Sequence, residues 1–177
     1  MKYLKIKGLT KKERYLVPRS FDIIGDLLIF SDFPKELEKK EKIIGDFFLQ
    51  KHKQIKVVLK KTQQYSGRFR TAKMKIIVGA RRKETTHIEH GCKFLLHSEH
   101  TYFSPRLGTE RKRIYLQVKG GEAVLVMFSG IAPYPIVISK HSNANEIYGV
   151  EMNKIAHEYA EKNLALNEID NIKLFLG

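Results

Sequence analysis

The last third of the chain alternates short apolar strands with helices, and this alternation constrains the fold more than any other feature. Residues 123–128 form a continuous apolar run, typical of a strand that is buried on both faces of a parallel sheet. The segments that follow it are predicted as helix, strand, helix and strand, over residues 133–141, 146–150, 154–167 and 172–176. Asn153 is the expected N-cap of the second helix. This order predicts parallel strands joined by helical crossovers.

Only three strands of this kind are predicted before residue 177. A doubly wound nucleotide-binding domain normally has five or more strands, covered by helices on both faces. We therefore predict an α/β fold in which residues 1–119 form a basic α+β module and residues 120–177 form the first half of a Rossmann-like domain. We favour a chain truncated from a longer protein, with a natural short form or a fold completed by a partner as the alternatives.

The first module is predicted to contain strands, a hairpin and two helices. Residues 20–30 predict strand, turn and strand, and residues 55–59 a further strand. A helix over residues 34–51 has an inward apolar face of Leu37, Ile44, Phe47 and Phe48, and an outer face on which Glu36 pairs with Lys40 and Glu38 with Lys42.

The second part of this module leads to the candidate chemistry. The segments 86–89 and 93–96 flank His90 and Gly91, which predicts a β-hairpin. Another strand is expected to end near Phe103. A short helix follows over residues 108–119, with Thr109 as N-cap and Glu110 in the first turn, where a carboxylate favours the helix dipole.

The composition is strongly basic, with 33 Lys and Arg against 19 Asp and Glu and a formal charge of +14. This indicates an acidic partner such as a phosphate backbone. The cations concentrate in one stretch, interleaved with Tyr65 and Phe69: Lys60, Lys61, Arg68, Arg70, Lys73, Lys75, Arg81, Arg82 and Lys83. Cations neutralise phosphates and aromatic rings stack on unpaired bases, so the stretch predicts a contact surface for loop or single-stranded RNA. Ordinary surface lysines around two core aromatics are the alternative.

Other features narrow the class of protein. A single cysteine, Cys92, excludes an internal disulfide and predicts a packed thiol in a reducing compartment, with the cytoplasm as the expected location. No stretch has the roughly 18 apolar residues of a membrane span, so no membrane association is expected. Four histidines lie close in sequence, His87, His90, His97 and His100, but three-residue offsets on strands face opposite sides, and we expect no metal site.

A cofactor site is predicted where the first parallel strand ends. Gly130 follows that strand, and Glu151 ends the next strand 21 residues later. Glycine lets the backbone approach a ligand, the following helix N-terminus offers N–H groups, and the acidic residue accepts hydrogen bonds from ribose hydroxyls. The Gly-x-Gly-x-x-Gly pattern of dinucleotide sites is absent, so S-adenosylmethionine fits better, with Phe128 and Met152 as flanking contacts. A generic α/β turn is the alternative.

Four segments together resemble a known family: Tyr102-Phe-Ser-Pro-Arg-Leu107, Glu110-Arg111, Met127-Phe-Ser-Gly130 and Ile147-Tyr-Gly-Val-Glu-Met-Asn153. They are similar to the archaeal and eukaryotic tRNA (guanine-N1)-methyltransferases that act at anticodon-loop position 37. The similarity runs from about Phe21 to the last residue, and its most specific part is Ser-Pro-Arg-Leu followed by Glu-Arg. It implies that the second module is half of a class I methyltransferase domain and that the first binds the tRNA anticodon stem-loop.

The resemblance also implies roles for individual residues. Glu110 matches the family's general base, which removes the proton from guanine N1. Arg70 matches an arginine that stabilises charge on O6, and Tyr102 is expected to orient or stack the base. The remaining substrate-binding residues are arginines that hold the base and neighbouring phosphates, namely Arg68, Arg106 and Arg111.

The chain also departs from the family pattern. Val126 stands where the family commonly has Asp, Ala132 where it has Gly, and His97 where it has Asp. Two other functions are therefore kept open. One is aminocarboxypropyl transfer from the same cofactor in wybutosine synthesis. Within the family, Arg106-Leu107 favours methyl transfer over this reaction. The other is an RNA-binding module without catalysis.

Overall fold

The computed structural model describes residues 6–177 and divides into two compact units. The first comprises the described residues up to Tyr65 together with Ala72–Lys83, and the second comprises Ser66–Thr71 and Glu84–Gly177. The contacts thus divide the chain next to residue 83, whereas the boundary predicted from the sequence lies at residue 119. None of the described helices is both long and apolar enough to cross a bilayer.

The first unit is a four-stranded sheet with helices. Its strands lie in the order β1 (Asp22–Ile24), β2 (Leu27–Phe30), β3 (Val57–Ser66) and β4 (Thr71–Gly79). β1 and β2 form the predicted antiparallel pair, while β2 and β3 are parallel. Parallel strands need a crossover connection, which here contains a 3-10 helix, Lys35–Lys40, and helix α2, Glu41–Lys51. A short helix α1, Lys11–Leu16, begins with a capping box in which Thr10 and Glu13 bond each other's backbone.

The core of the first unit lies where helix α2 packs on the sheet. Leu37, Ile44 and Phe48 are buried as predicted, and Phe47 is half-buried. The Phe48 ring contacts Phe30 edge-on, with 5.1 Å between ring centroids. A Cβ at Gly45 would lie 2.5 Å from the Val78 side chain, so this glycine permits the close approach of α2 to β4.

The predicted charge pattern of the first unit needs one correction. Lys60 was assigned to the RNA-contact surface, but it is buried, and its Nζ lies 2.8 Å from Glu41 and 3.2 Å from Glu38. Glu38 therefore pairs across to β3 rather than with Lys42. The cause is that β3 has ten residues instead of the predicted five, so Lys60 lies inside a strand next to the helical carboxylates.

The second unit contains a hairpin and a parallel sheet. Strands β5 (Glu84–Glu89) and β6 (Cys92–His97) form the predicted hairpin, and both turn residues, His90 and Gly91, have positive φ. A 3-10 turn, Pro105–Leu107, leads into helix α3, Gly108–Tyr115. The other elements form a β-α-β-α-β unit with parallel strands in the order β7-β8-β9: β7 (Ala123–Met127), α4 (Pro133–His141), β8 (Glu146–Glu151), α5 (Lys154–Leu166) and β9 (Ile172–Leu176).

The α/β prediction is confirmed, with three differences in detail. Asn153 caps α5 as expected, because its Oδ1 accepts a hydrogen bond from the Ile155 N–H at 3.1 Å. Thr109, in contrast, lies inside α3, whose N-cap is Leu107. The strand expected to end near Phe103 does not form, since residues 98–104 are turns and irregular structure. β7 is not buried on both faces, and the Leu125 side chain is 60% exposed.

Two asparagines explain why the hairpin belongs to the second unit. Asn163 accepts from the Leu95 N–H at 2.7 Å and donates to the Leu95 carbonyl at 3.0 Å. Asn167, one helical turn later, makes the same pair of bonds to Lys93 at 2.8 and 2.7 Å. The amides of α5 thus bond the edge of β6 as a neighbouring strand would, and they tie residues 84–97 to the parallel sheet.

Candidate active site

The loop after β7 has an unusual backbone. Phe128, Gly130 and Ala132 all have positive φ, at 56°, 59° and 64°. Positive φ is sterically strained for residues other than glycine, here Phe128 and Ala132, and such strain is concentrated at functional sites. Hydrogen bonds hold the loop, because the Ser129 N–H donates to the Val150 carbonyl at 2.9 Å and the Ala132 N–H to Ser129 at 3.0 Å.

The predicted pair of Gly130 and Glu151 is brought together. The Gly130 N–H donates to Glu151 Oε2 at 2.7 Å, and the Asn153 N–H donates to Oε1 at 2.6 Å. The carboxylate therefore connects the ends of β7 and β8. Each of its oxygens keeps a further lone pair, which is what acceptance from the hydroxyls of a ribose requires. Met152 lies between Glu151 and Asn153 and is half-buried.

A small pocket opens beside this loop. Its volume is about 100 Å³, and its lining includes four aromatic side chains, Tyr102, Phe103, Phe128 and Tyr134. Ser129, Gly130 and Arg111 also contribute to the lining. Tyr102 is about half exposed and Phe128 almost fully so, which leaves their ring faces open to a planar ligand.

Arg111 lies in the pocket wall but does not occupy the exposed position that contact with phosphates requires. The residue is 1% exposed, and its Nε and NH2 atoms lie 2.5 and 2.6 Å from the two Glu89 oxygens. NH2 also donates to the Ser104 carbonyl at 3.0 Å, and the guanidinium lies over the Phe103 ring. A cation held in this way cannot reach phosphates. Through these bonds to Glu89 and Ser104, Arg111 instead holds the loop before α3 against the end of β5.

Glu110 lies in the first turn of α3, where the sequence places it. Its carboxylate is paired with Arg113 on the same helix, at 2.6 Å to NH2 and 2.8 Å to Nε. The hydrogen bond from Arg113 lowers the pKa of Glu110. Glu110 does not line the pocket, but its charge acts on the phenol of Tyr134, which does.

The other predicted arginines are exposed and lie outside the pocket lining. Arg106 is in the 3-10 turn that precedes α3. Arg68 and Arg70 are in the turn between β3 and β4, where Arg70 has a φ of 50° and its N–H bonds the Gly67 carbonyl at 3.2 Å. Exposed guanidinium groups are suited to phosphates.

Three features of the site were missed from the sequence. Ser129 is buried, and its hydroxyl has no protein partner among the described residues. Tyr134 completes the aromatic lining, and Glu89 anchors Arg111. The expected donors at the start of α4 are also fewer than assumed, because Pro133 and Pro135 have no N–H. The loss of these donors could have been read from the two prolines, whereas nothing in the sequence marks Ser129, Tyr134 or Glu89.

Comparison with known proteins identifies the class. Residues 85–176 match the TRM5/TYW2 methyltransferase domain, and residues 2–82 match the TYW2 N-terminal domain. The first match covers more than half of the chain, so the chain belongs to the TRM5/TYW2 methyltransferase family. The resemblance inferred from its motifs is confirmed.

Individual relatives support the same conclusion. The chain is 36% identical to the tRNA (guanine(37)-N(1))-methyltransferase Trm5b of Pyrococcus abyssi, over 99% of this chain and 52% of the relative. It is 34% identical to the tRNA(Phe) (4-demethylwyosine(37)-C(7)) aminocarboxypropyltransferase of Methanocaldococcus jannaschii, over 84% of this chain and 57% of that protein. The chain thus spans about half the length of these curated relatives.

Solved structures agree with the fold. The crystal structure of Trm5b from P. abyssi has a TM-score of 0.87 at 35% identity, covering 99% of this chain and 52% of that one. A complex of aTrm5 with tRNALeu has a TM-score of 0.81 at 34% identity, covering 92% and 49%. M. jannaschii Trm5 in complex with adenosine has a TM-score of 0.79 at 32% identity, covering 96% and 52%.

Proposed function

We propose that this chain is part of an S-adenosylmethionine-dependent enzyme that methylates N1 of guanine at position 37 in the tRNA anticodon loop. One observation carries the proposal. The Gly130–Glu151 contact at 2.7 Å lies next to an aromatic pocket, and Glu110 is on α3, the helix that follows the pocket-lining residues of segment 102–107. Family membership and the similarity to Trm5b support it.

The residues present suit the proposed cofactor. Glu151 has lone pairs left for ribose hydroxyls, Gly130 leaves space at the loop, and the buried Ser129 hydroxyl lacks a protein partner among the described residues. Phe128 and Met152 are proposed as flanking contacts, as in the sequence analysis. When bound, S-adenosylmethionine supplies an electrophilic methyl group on a sulfonium. The similarity to Trm5 bound to adenosine supports this assignment.

The proposed chemistry at the base uses the residues of this chain as follows. The Glu110 carboxylate, whose pKa Arg113 lowers further, is ionised at neutral pH and is proposed to accept the N1 proton. Arg70 is proposed to hold O6 while charge builds there, and Tyr102 to stack the base. Arg68 and Arg106 are proposed to bind phosphates, and the buried Arg111 is instead proposed to position the loop before α3.

The proposed partner is tRNA, bound through its anticodon stem-loop. The formal charge of +14 favours a polyanion, and the similarity to a Trm5 bound to tRNALeu supports this partner. Transfer of an aminocarboxypropyl group is the second candidate, favoured by the match of residues 2–82 to the TYW2 N-terminal domain. The mass added to the target nucleoside distinguishes the two reactions.

Calorimetric titration with S-adenosylmethionine tests the cofactor assignment. We expect saturable binding by the chain and a loss of tenfold or more in Glu151→Ala, roughly the contribution of hydrogen bonds to a charged group. Glu146→Ala is the matched control, because it removes a carboxylate from the other end of the same strand. If the chain binds tRNA but no cofactor, the proposal is wrong and a non-catalytic RNA-binding module is the better description.

A further inference from the structure

Tyr134 lines the pocket and has no role in the function proposed above. It is the second residue of α4 and lies between Pro133 and Pro135, whose rings restrict the backbone on both sides. Its own ring lies over the Arg111 guanidinium, with 5.8 Å between the guanidinium carbon and the ring centroid. Arg111 is in turn fixed by Glu89 and the Ser104 carbonyl. The phenol is therefore held in place by a rigid neighbourhood.

The hydroxyl of Tyr134 is available to a ligand. In the part of the chain that the structure describes, it makes no hydrogen bond, although the side chain is half-buried in the pocket wall. Burial raises the pKa of this phenol, and the carboxylates of Glu110 and Glu89 add to that effect, while the cations of Arg111 and Arg113 offset part of it. The group is therefore protonated at neutral pH and can donate a hydrogen bond.

The position of Glu110 indicates which atom receives that bond. If the Glu110 carboxylate accepts the N1 proton, a donor within range of the Glu110 charge, as the Tyr134 phenol is, can face an atom next to N1 on the same edge of the base. Guanine has an oxygen acceptor, O6, on one side of N1 and an amino group, which is a donor, on the other. A donor that is already oriented toward developing charge is worth more than one that must reorganise.

We propose that the Tyr134 hydroxyl is a substrate-positioning group that donates a hydrogen bond to O6 of the target purine, and this inference rests on the proposed function. When N1 loses its proton, the electron pair that stays on the base is shared with O6, where negative charge accumulates. Tyr134 would therefore share this oxygen with Arg70, since a carbonyl oxygen has two lone pairs. The ring of Tyr134 and that of Tyr102 line the same pocket and offer faces to the planar base.

The test compares the full chain and its Tyr134→Phe variant in binding anticodon stem-loop RNAs that differ at one position. Guanosine has both O6 and the 2-amino group, inosine has O6 alone, and 2-aminopurine has the amino group alone. We expect Tyr134→Phe to weaken binding of the guanosine and inosine RNAs by roughly 3- to 10-fold and to leave 2-aminopurine RNA unchanged. Tyr148→Phe, which removes a phenol outside the pocket on β8, is the matched control.

Each other outcome has a definite meaning. Equal affinities of the variant and the unaltered chain for all three RNAs overturn the role of Tyr134, provided that the unaltered chain prefers guanosine. A loss that appears only with RNAs having the 2-amino group also overturns it, because the hydroxyl would then face the other side of N1. If the unaltered chain does not distinguish guanosine from 2-aminopurine, the proposed function itself fails and this inference fails with it. Phenylalanine keeps the ring over Arg111, and unchanged thermal unfolding verifies that.

Discussion

At the scale of single residues, the pair of Glu110 and Arg113 sets the acidity of the proposed base. The two side chains are joined by two hydrogen bonds, and the pair lowers the pKa of Glu110. In Arg113→Gln we expect that pKa to rise toward its ordinary value, which can be measured from the carboxyl carbon by NMR titration. Lys112→Gln is the control, since it removes the neighbouring cation that is not paired with Glu110. Identical titration curves in all three proteins would refute the coupling.

The strained backbone at Phe128 leads to a second prediction. Its φ is 56° and its side chain is 77% exposed, so glycine relieves the strain at little cost in buried area. We expect Phe128→Gly to raise the free energy of unfolding by about 0.5–1 kcal/mol while weakening cofactor binding. Phe128→Ala removes the ring but keeps the strain, so it should weaken binding without stabilising the chain. Urea unfolding and calorimetry separate the two effects, and equal stability of the two variants would contradict this explanation.

Individual residues also show which kinds of prediction the sequence supports. Gly130 and Glu151 were paired correctly because strand ends of a parallel sheet meet at one edge. Arg111 was expected to hold the base and neighbouring phosphates, and Lys60 was placed on the RNA-contact surface, yet both are buried in ion pairs. Their carboxylate partners, Glu89 and Glu41, lie about twenty residues away in sequence and become neighbours only through packing. Charge type is visible in a sequence, whereas burial beside a distant partner is not.

At the scale of elements, the amide of Asn163 joins three pieces of the second unit. It bonds Leu95 on β6 in both directions and also donates to the Ile131 carbonyl in the loop after β7 at 3.1 Å. Asn163→Ala leaves these buried backbone groups without partners, and we expect a loss of about 2–3 kcal/mol in the free energy of unfolding. Hydrogen exchange at the Leu95 amide should accelerate with it. Glu158→Ala, at an exposed position of the same helix, serves as control. Equal destabilisation in that variant would show that the Asn163 hydrogen bonds are not the cause.

Elements with a strong local signal were predicted well. The hairpin at His90 and Gly91, helix α4 and helix α5 have turn residues, length or a capping asparagine that mark them. The strand expected near Phe103 had only β-prone residues to support it. In the structure the segment is irregular, and the Phe103 ring packs against the Arg111 guanidinium. A short apolar run does not reveal whether a partner strand is present.

At the scale of the whole molecule, net charge predicts how RNA binding responds to salt. The formal charge is +14, and each phosphate neutralised by a cation releases counterions. Binding of a single-stranded RNA should therefore weaken linearly on a log–log plot against salt, and Arg68→Gln or Arg106→Gln should each make the slope shallower by about 0.7. Lys12→Gln, at an exposed position of α1, is the control. Unchanged slopes would exclude the two arginines from phosphate contact.

The general architecture was predictable because periodicity and spacing are local properties. The α/β class, the parallel order of three strands and the family were all inferred correctly. The sequence did not predict where the two compact units divide, because that depends on how Asn163 and Asn167 bond the edge of β6. The exposed Leu125 likewise contradicts the expectation of a strand covered on both faces.

Cys92 gives this molecule a built-in chemical reporter. It is the single cysteine of the chain, it is 1% exposed, and burial raises the pKa of its thiol. A thiol reagent can therefore react only when the hairpin opens, so the labelling rate under native conditions measures that opening without any introduced probe. A ligand that tightens the hairpin and its asparagine contacts will slow the alkylation, which offers a simple assay for what this protein binds.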